Sequence, residues 1–146
     1  MSTKFEKILC PVEFESNSAA ALRFACELAQ SESRRYILHV LPAHAGPGAK
    51  VAQSTVELAG DCLRDFASEQ GVSDLQPQLL IRTGNPAEII VNIADELMVD
   101  VIVMATHGRK GFARFVLGGV AERVVRQARP PVLTIRPEIR GWPKSE

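Results

Sequence analysis

Apolar residues in this chain come in short runs separated by segments of helical spacing. Lys7 to Glu13 (KILCPVE) has the length and character of a buried strand. From about Ser18 to Ser31 the apolar positions Ala21, Leu22, Ala25, Leu28 and Ala29 recur at helical spacing, and Asn17 or Ser18 can cap that helix. Tyr36 to Leu41 (YILHVL) predicts a second strand, and Pro42 to Gly48 a loop of Pro, Gly, His and Ala. Leu58, Ala59, Cys62, Leu63 and Phe66 form the face of a second helix that closes near Gly71. The third strand, Gln76 to Arg82, carries Pro77, which cannot donate to a ladder and so points to an edge position. Gly84-Asn85-Pro86 reads as turn, cap and first helical residue of a third helix burying Ile89, Ile90, Ile93, Ala94 and Leu97. Val101 to Ala105 predicts the fourth strand. A fourth helix from about Gly118 buries Val120, Val124, Val125 and Ala128 until Pro130-Pro131 stops it, and Val132 to Arg136 (VLTIR) is the fifth strand.

Strands alternating with helices across short turns predict an α/β fold: a doubly wound, open, parallel five-stranded sheet with helices on both faces. The whole chain, 1–146, is one domain, with 138–146 a loose tail holding the only tryptophan, Trp142. The first and fourth strands are the most apolar and Pro77 marks the third as an edge, so the expected order is 3-2-1-4-5 with right-handed crossovers. The winding then reverses between strands one and four. Ligands of such sheets bind in the crevice at the carboxyl ends of those two strands, here between Glu13 and Ala105.

Composition narrows the partners. Hydrophobic residues are 46% and charged residues 23% of the chain, as in an ordinary soluble domain, and Lys+Arg and Asp+Glu both number 17. A formal net charge of zero gives neither a basic stripe for nucleic acid nor an acidic tail for a basic partner, and little resistance to self-association. The start, MSTKFEKILCPVEF, has too short an apolar run for a signal peptide, and no stretch reaches the roughly 18 apolar residues of a membrane span. A cytoplasmic protein is expected. Cys10, Cys26 and Cys62 lack metal-ligand spacing and each lies beside apolar residues, which predicts buried free thiols.

The richest chemistry lies in ATHGRKGFARFVLGG, from Ala105 to Gly119. A buried strand running into glycines and then a helix presents backbone N–H groups and a positive dipole end to an anion. The spacing is neither GxxxxGK[ST] nor GxGxxG. Taken singly, Gly108, Gly111 and Gly118 would be turn and cap glycines, and Arg109 with Lys110 a solvated pair; together after a buried strand they favour an anion site. This segment closely resembles the phosphate-binding stretch of the universal stress protein family, with Ala105, Gly108, Gly118 and Gly119 at the glycine or small-residue positions. The likeness runs from Lys4 to Pro137 through ILCPVEFESNSAAALRFACELA, LHVLP, GNPAEIIVNIADE and the long stretch from Val99 to Pro137.

The resemblance implies the fold above, binding of ATP or a related adenine nucleotide, and dimerisation through the last strand; Glu13, on the ligand lip, could hold a ribose hydroxyl or a Mg²⁺ shared with the nucleotide phosphates. Residue by residue it implies that Pro11, Val12 and Glu13 meet adenine and ribose, and that Val40 meets the base. Ala105, His107, Gly108, Arg109, Gly118, Gly119 and Val120 would lie along the phosphate and ribose track. Two positions depart from the pattern. Glu13 stands where nucleotide-binding members usually have Asp, and Gly119 where Ser or Thr is usual. The first moves a carboxylate by about one bond length. The second removes a hydroxyl donor worth about 1.5–3 kcal/mol against a charged group.

Other candidates read structurally. His39, inside ILHV, is expected to bond within the fold, and His44 lies in a loop, so the three histidines form no metal site. Asp100 falls at the far end of its strand, so no second acid joins Glu13 to activate water, and slow ATP hydrolysis ranks last. Val132, Leu133, Thr134 and Ile135 form an apolar edge suited to a homodimer, unless the tail around Trp142 covers it. The alternative reading is a nucleotide-free dimeric interaction module of the same fold, its glycine turn only structural.

Overall fold

The computed structural model describes residues 5–14, 16–43, 51–106 and 118–136. Five parallel strands, β1 (Lys7–Pro11), β2 (Arg34–Leu41), β3 (Gln78–Thr83), β4 (Val101–Ala105) and β5 (Val132–Ile135), lie in the order β3-β2-β1-β4-β5. The helices are α1 (Ser16–Leu28), α2 (Gln53–Glu69), α3 (Pro86–Leu97) and α4 (Gly119–Gln127). Alternation along the strands divides the core in two. Ile8, Cys10, Ile37, Val101 and Val103 pack with Ala21, Leu22 and Leu63 of α1 and α2. Leu9, Tyr36, Leu38, Ile102 and Met104 pack with Ile90, Ile93, Ala121 and Val124 of α3 and α4. The expected order and two-faced packing are both present.

β1 and β4 are near-continuous buried runs because helices cover both of their faces. The turn into α3 follows its sequence. Gly84 takes φ +140°, a conformation that L side chains avoid, and the Asn85 carboxamide oxygen accepts from the Glu88 N–H at 3.2 Å with Pro86 at the first helical position. At the opposite end of the sheet Asp100 acts structurally: its Oδ2 accepts from the amides of Glu6 at 2.8 Å and Lys7 at 2.9 Å, fastening the start of β1.

Several local expectations need correction. α2 buries Ala59, Leu63, Phe66 and Ala67, while Leu58 is 63% exposed and Cys62 is exposed. A helix turns about 100° per residue, so Leu58 and Cys62 fall on the flank of a face centred on Leu63. Of the cysteines only Cys10 is buried and Cys26 partly so. Burial pushes the Cys10 thiol far above its usual range, with Cys26 adding to the effect. Burial also raises Cys26, against the opposing charge of Arg35. In α4, Val125 is exposed and Ala121 takes its place in the core; in α3, Ala87 is buried and Ile89 and Leu97 only partly. β3 does lie at the edge, but Pro77 precedes it, after Gln76 in the left-handed region at φ 52°. The 42–48 loop from position 44 onward and the 138–146 tail, with Trp142, lie outside the described residues.

Candidate functional site

A cleft of about 150 Å³ opens at the carboxyl ends of β1 and β4, where the winding of the sheet reverses. One lip is the end of β1 and its loop, Pro11, Val12 and Glu13. The other is Met104, Ala105 and Thr106. Leu38 and Val40 of β2 form the floor, and Pro86 and Ile90 of α3 the wall beyond it. Gly118, Gly119, Val120 and Ala121 close the remaining side with the first turn of α4.

Eight of the residues singled out in the sequence therefore share one cleft: Pro11, Val12, Glu13, Val40, Ala105, Gly118, Gly119 and Val120. His107, Gly108 and Arg109, like Lys110 and Gly111, lie outside the described residues. Ser18, Leu38, Pro86, Ile90, Met104, Thr106 and Ala121 also line the cleft and were not anticipated as site residues. Ser18 was expected as a cap. Helix α1 instead begins at Ser16, and the Ser18 hydroxyl oxygen accepts the Glu13 N–H at 2.8 Å. Every helix of a parallel sheet starts at this end, so the helix-start residues of α1 and α3 were the available signal.

The α4 side is built for an anion. Thr106 donates its N–H to the Ile135 carbonyl at 3.1 Å, and its own carbonyl accepts the Gly118 N–H at 2.7 Å. That pair brings the end of β4 against the start of α4. The Gly118 amide is thereby used. Gly118 offers no side-chain cap, so the amides of Gly119, Val120 and Ala121 have no acceptor within the helix and carry the positive end of its dipole. Gly119 is exposed, and a Cβ added there would meet nothing within 4 Å. Among the described lining residues Glu13 is the one charged side chain, and it too is exposed. The rest of the wall is mainly apolar. An apolar cleft with a few convergent polar groups is the usual form of a small-molecule site.

His39 is the structural histidine its setting predicted, its Nδ1 2.8 Å from the Val12 carbonyl oxygen. Among the described residues no three His, Cys, Asp or Glu side chains gather as a metal site. No described helix is long and apolar enough to cross a membrane.

Sequence comparison decides the family, since the profile of the universal stress protein family matches residues 4–136. This chain belongs to that family. A universal stress protein of Methanocaldococcus jannaschii is 31% identical over 144 residues, covering 90% of this chain and 82% of the relative. A second from the same organism is 27% identical over 158 residues, covering 93% and 98%. Solved universal stress proteins share the fold. One in complex with cAMP superposes with a TM-score of 0.68 at 18% identity, covering 92% of this chain and 98% of that one. The UspA protein of Lactobacillus plantarum gives 0.65 at 21% identity, covering 92% and 100%.

Proposed function

We propose that the cleft of this universal stress protein binds ATP or a related adenine nucleotide and that occupancy regulates the protein's surface in a cytoplasmic stress response. The observation that carries this reading is the meeting, in one apolar cleft, of the uncapped first turn of α4 and the Glu13 carboxylate. The amides suit phosphate, the carboxylate suits a ribose hydroxyl, and Pro11 with Val40 offers a flat apolar bed for a base. A neighbour of the same fold solved with cAMP supports the ligand class. A single carboxylate beside phosphate oxygens also fits Mg²⁺, which keeps most of its waters. The residues give binding and orientation, and we read the protein as a regulator; phosphoryl transfer needs further positioned groups.

Denaturing freshly purified protein and chromatographing the supernatant, alongside calorimetry with added ATP, tests the reading. Adenine nucleotide in the supernatant or heat on titration is the expected result; the absence of both would count heavily against the reading. The departures at Glu13 and Gly119 favour the second reading, a nucleotide-free interaction module, and that null result would select it.

We further propose a homodimer through β5. Val132, Leu133, Thr134 and Ile135 form the sheet edge beyond β4, each only partly buried, and such an edge offers unpaired backbone groups to a second copy. Sedimentation of the full chain and of one lacking 138–146 should both give dimers. A full-length monomer that dimerises only on truncation would mean that the tail covers the edge.

A further inference from the structure

The lip that carries Glu13 is held by side chains from two separate elements. The Val12 N–H donates to the Leu38 carbonyl at 2.8 Å, continuing the β1–β2 ladder past Pro11. The next peptide unit, running from the Val12 carbonyl to the Glu13 amide, is gripped at both polar ends. His39 of β2 lies with Nδ1 2.8 Å from the Val12 oxygen, and Ser18 of α1 accepts the Glu13 N–H at 2.8 Å. A carbonyl only accepts, so Nδ1 carries the hydrogen and neutral His39 is the Nδ1–H tautomer. The imidazole is itself wedged: its centroid is 4.3 Å from that of Phe14, which meets Phe66 of α2 edge-on at 5.9 Å.

We propose that His39 and Ser18 are positioning residues for Glu13. A peptide unit is planar and rigid. Fixing its carbonyl and its N–H therefore fixes the Glu13 Cα and the N–Cα axis about which its side chain turns, and so narrows the arc the Glu13 carboxylate can sweep over the cleft. The single N–H of this unit is already used, so a ligand meets the Glu13 side chain and not that amide. Without the clamp, an exposed loop residue at the ligand end of a sheet would sample many directions. Holding it in place before the ligand arrives removes an ordering cost from binding. Only the effect on affinity rests on the nucleotide reading; the clamp is a property of the empty protein.

The test uses the full chain, ATP as probe, and Ser18→Ala, His39→Leu and His39→Asn, the last keeping a side-chain N–H near the Nδ1 position. Nitrogen NMR of the ligand-free protein should show His39 as the Nδ1–H tautomer, and the Glu13 amide should exchange at least about tenfold faster in Ser18→Ala than in the parent. The ATP dissociation constant should rise about tenfold in Ser18→Ala and His39→Leu, the scale of losing a partner that orients a binding residue, with His39→Asn recovering most of it. An Nε2–H tautomer, equal Glu13 exchange in parent and Ser18→Ala, or unchanged ATP affinity in both loss variants would overturn the proposal. If the parent binds no ATP, the nucleotide reading fails, and the tautomer and the Glu13 exchange alone decide the clamp.

Discussion

On the proposed function, replacing Gly119 by aspartate should weaken ATP binding about thirtyfold while leaving the fold at least as stable. The new Cβ meets nothing within 4 Å, so the side chain enters open space at the start of α4. There a carboxylate occupies the positive dipole end that would otherwise face phosphate. Two like charges about 4 Å apart repel by about 4 kcal/mol at an effective dielectric near 20. Gly119 is exposed, so screening by water and salt should leave about half of that, about 2 kcal/mol or roughly thirtyfold. Stability moves the other way, because an acid in a first helical turn gains about 0.3–1 kcal/mol and replacing a helical glycine relieves backbone entropy. Calorimetry with ATP and thermal melts of the same samples read the two signs together. Gly119→Ser combined with Glu13→Asp should instead tighten ATP by about ten- to a hundredfold, since a hydroxyl bond to phosphate contributes about 1.5–3 kcal/mol. If Gly119→Asp and the double variant leave ATP affinity equal to the parent's, the amides at the start of α4 do not hold phosphate.

The sheet was legible in the sequence because its physics is local and redundant. Val101 to Ala105 is apolar at every position and bounded by Asp100 and a glycine-rich segment, and β4 has those limits. The strand order followed from which runs were most apolar, and Asn85-Pro86 announced α3 through the chemistry of its cap. Helix faces were less legible. Leu58 and Cys62 fit an apolar stripe on α2, yet the direction of that stripe is set by where β2 and β3 lie, which no local window contains. Pro77 led to the right edge by an incomplete argument, since it stands outside the strand.

The site was half legible for a related reason. Glycines at a strand end advertise backbone chemistry, so Gly118 and Gly119 could be found. Ser18, Pro86 and Ile90 reach the cleft only because α1 and α3 begin at the same end of the sheet as α4. Ser18 shows the limit well. As a serine near a helix start it reads as a cap, but its acceptor is used on the Glu13 amide outside the helix.

Leu9→Ala should cost about 3 kcal/mol of stability, and ATP should restore most of it. Leu9 is fully buried, pairs with Tyr36 of β2 and Ile102 of β4, and packs into the core shared with α3 and α4. Leu→Ala at such sites costs about 2–5 kcal/mol, because the removed carbons lose burial and the rigid surroundings leave a cavity. Against a total stability of about 5–15 kcal/mol this is a large fraction. β1 also carries one lip of the cleft, so a ligand spanning both lips binds the folded state and not the unfolded one. At a hundred times its dissociation constant such a ligand adds about 2.7 kcal/mol. Urea midpoints for parent and variant, each with and without ATP, should therefore show a drop in the variant and a rise with ATP in both. A drop below about 1 kcal/mol would mean that the core around β1 relaxes to fill the cavity. An ATP-insensitive midpoint in both proteins at saturating ATP would mean that the cleft between β1 and β4 does not hold the nucleotide, because a ligand that binds the folded state and not the unfolded chain must stabilise it.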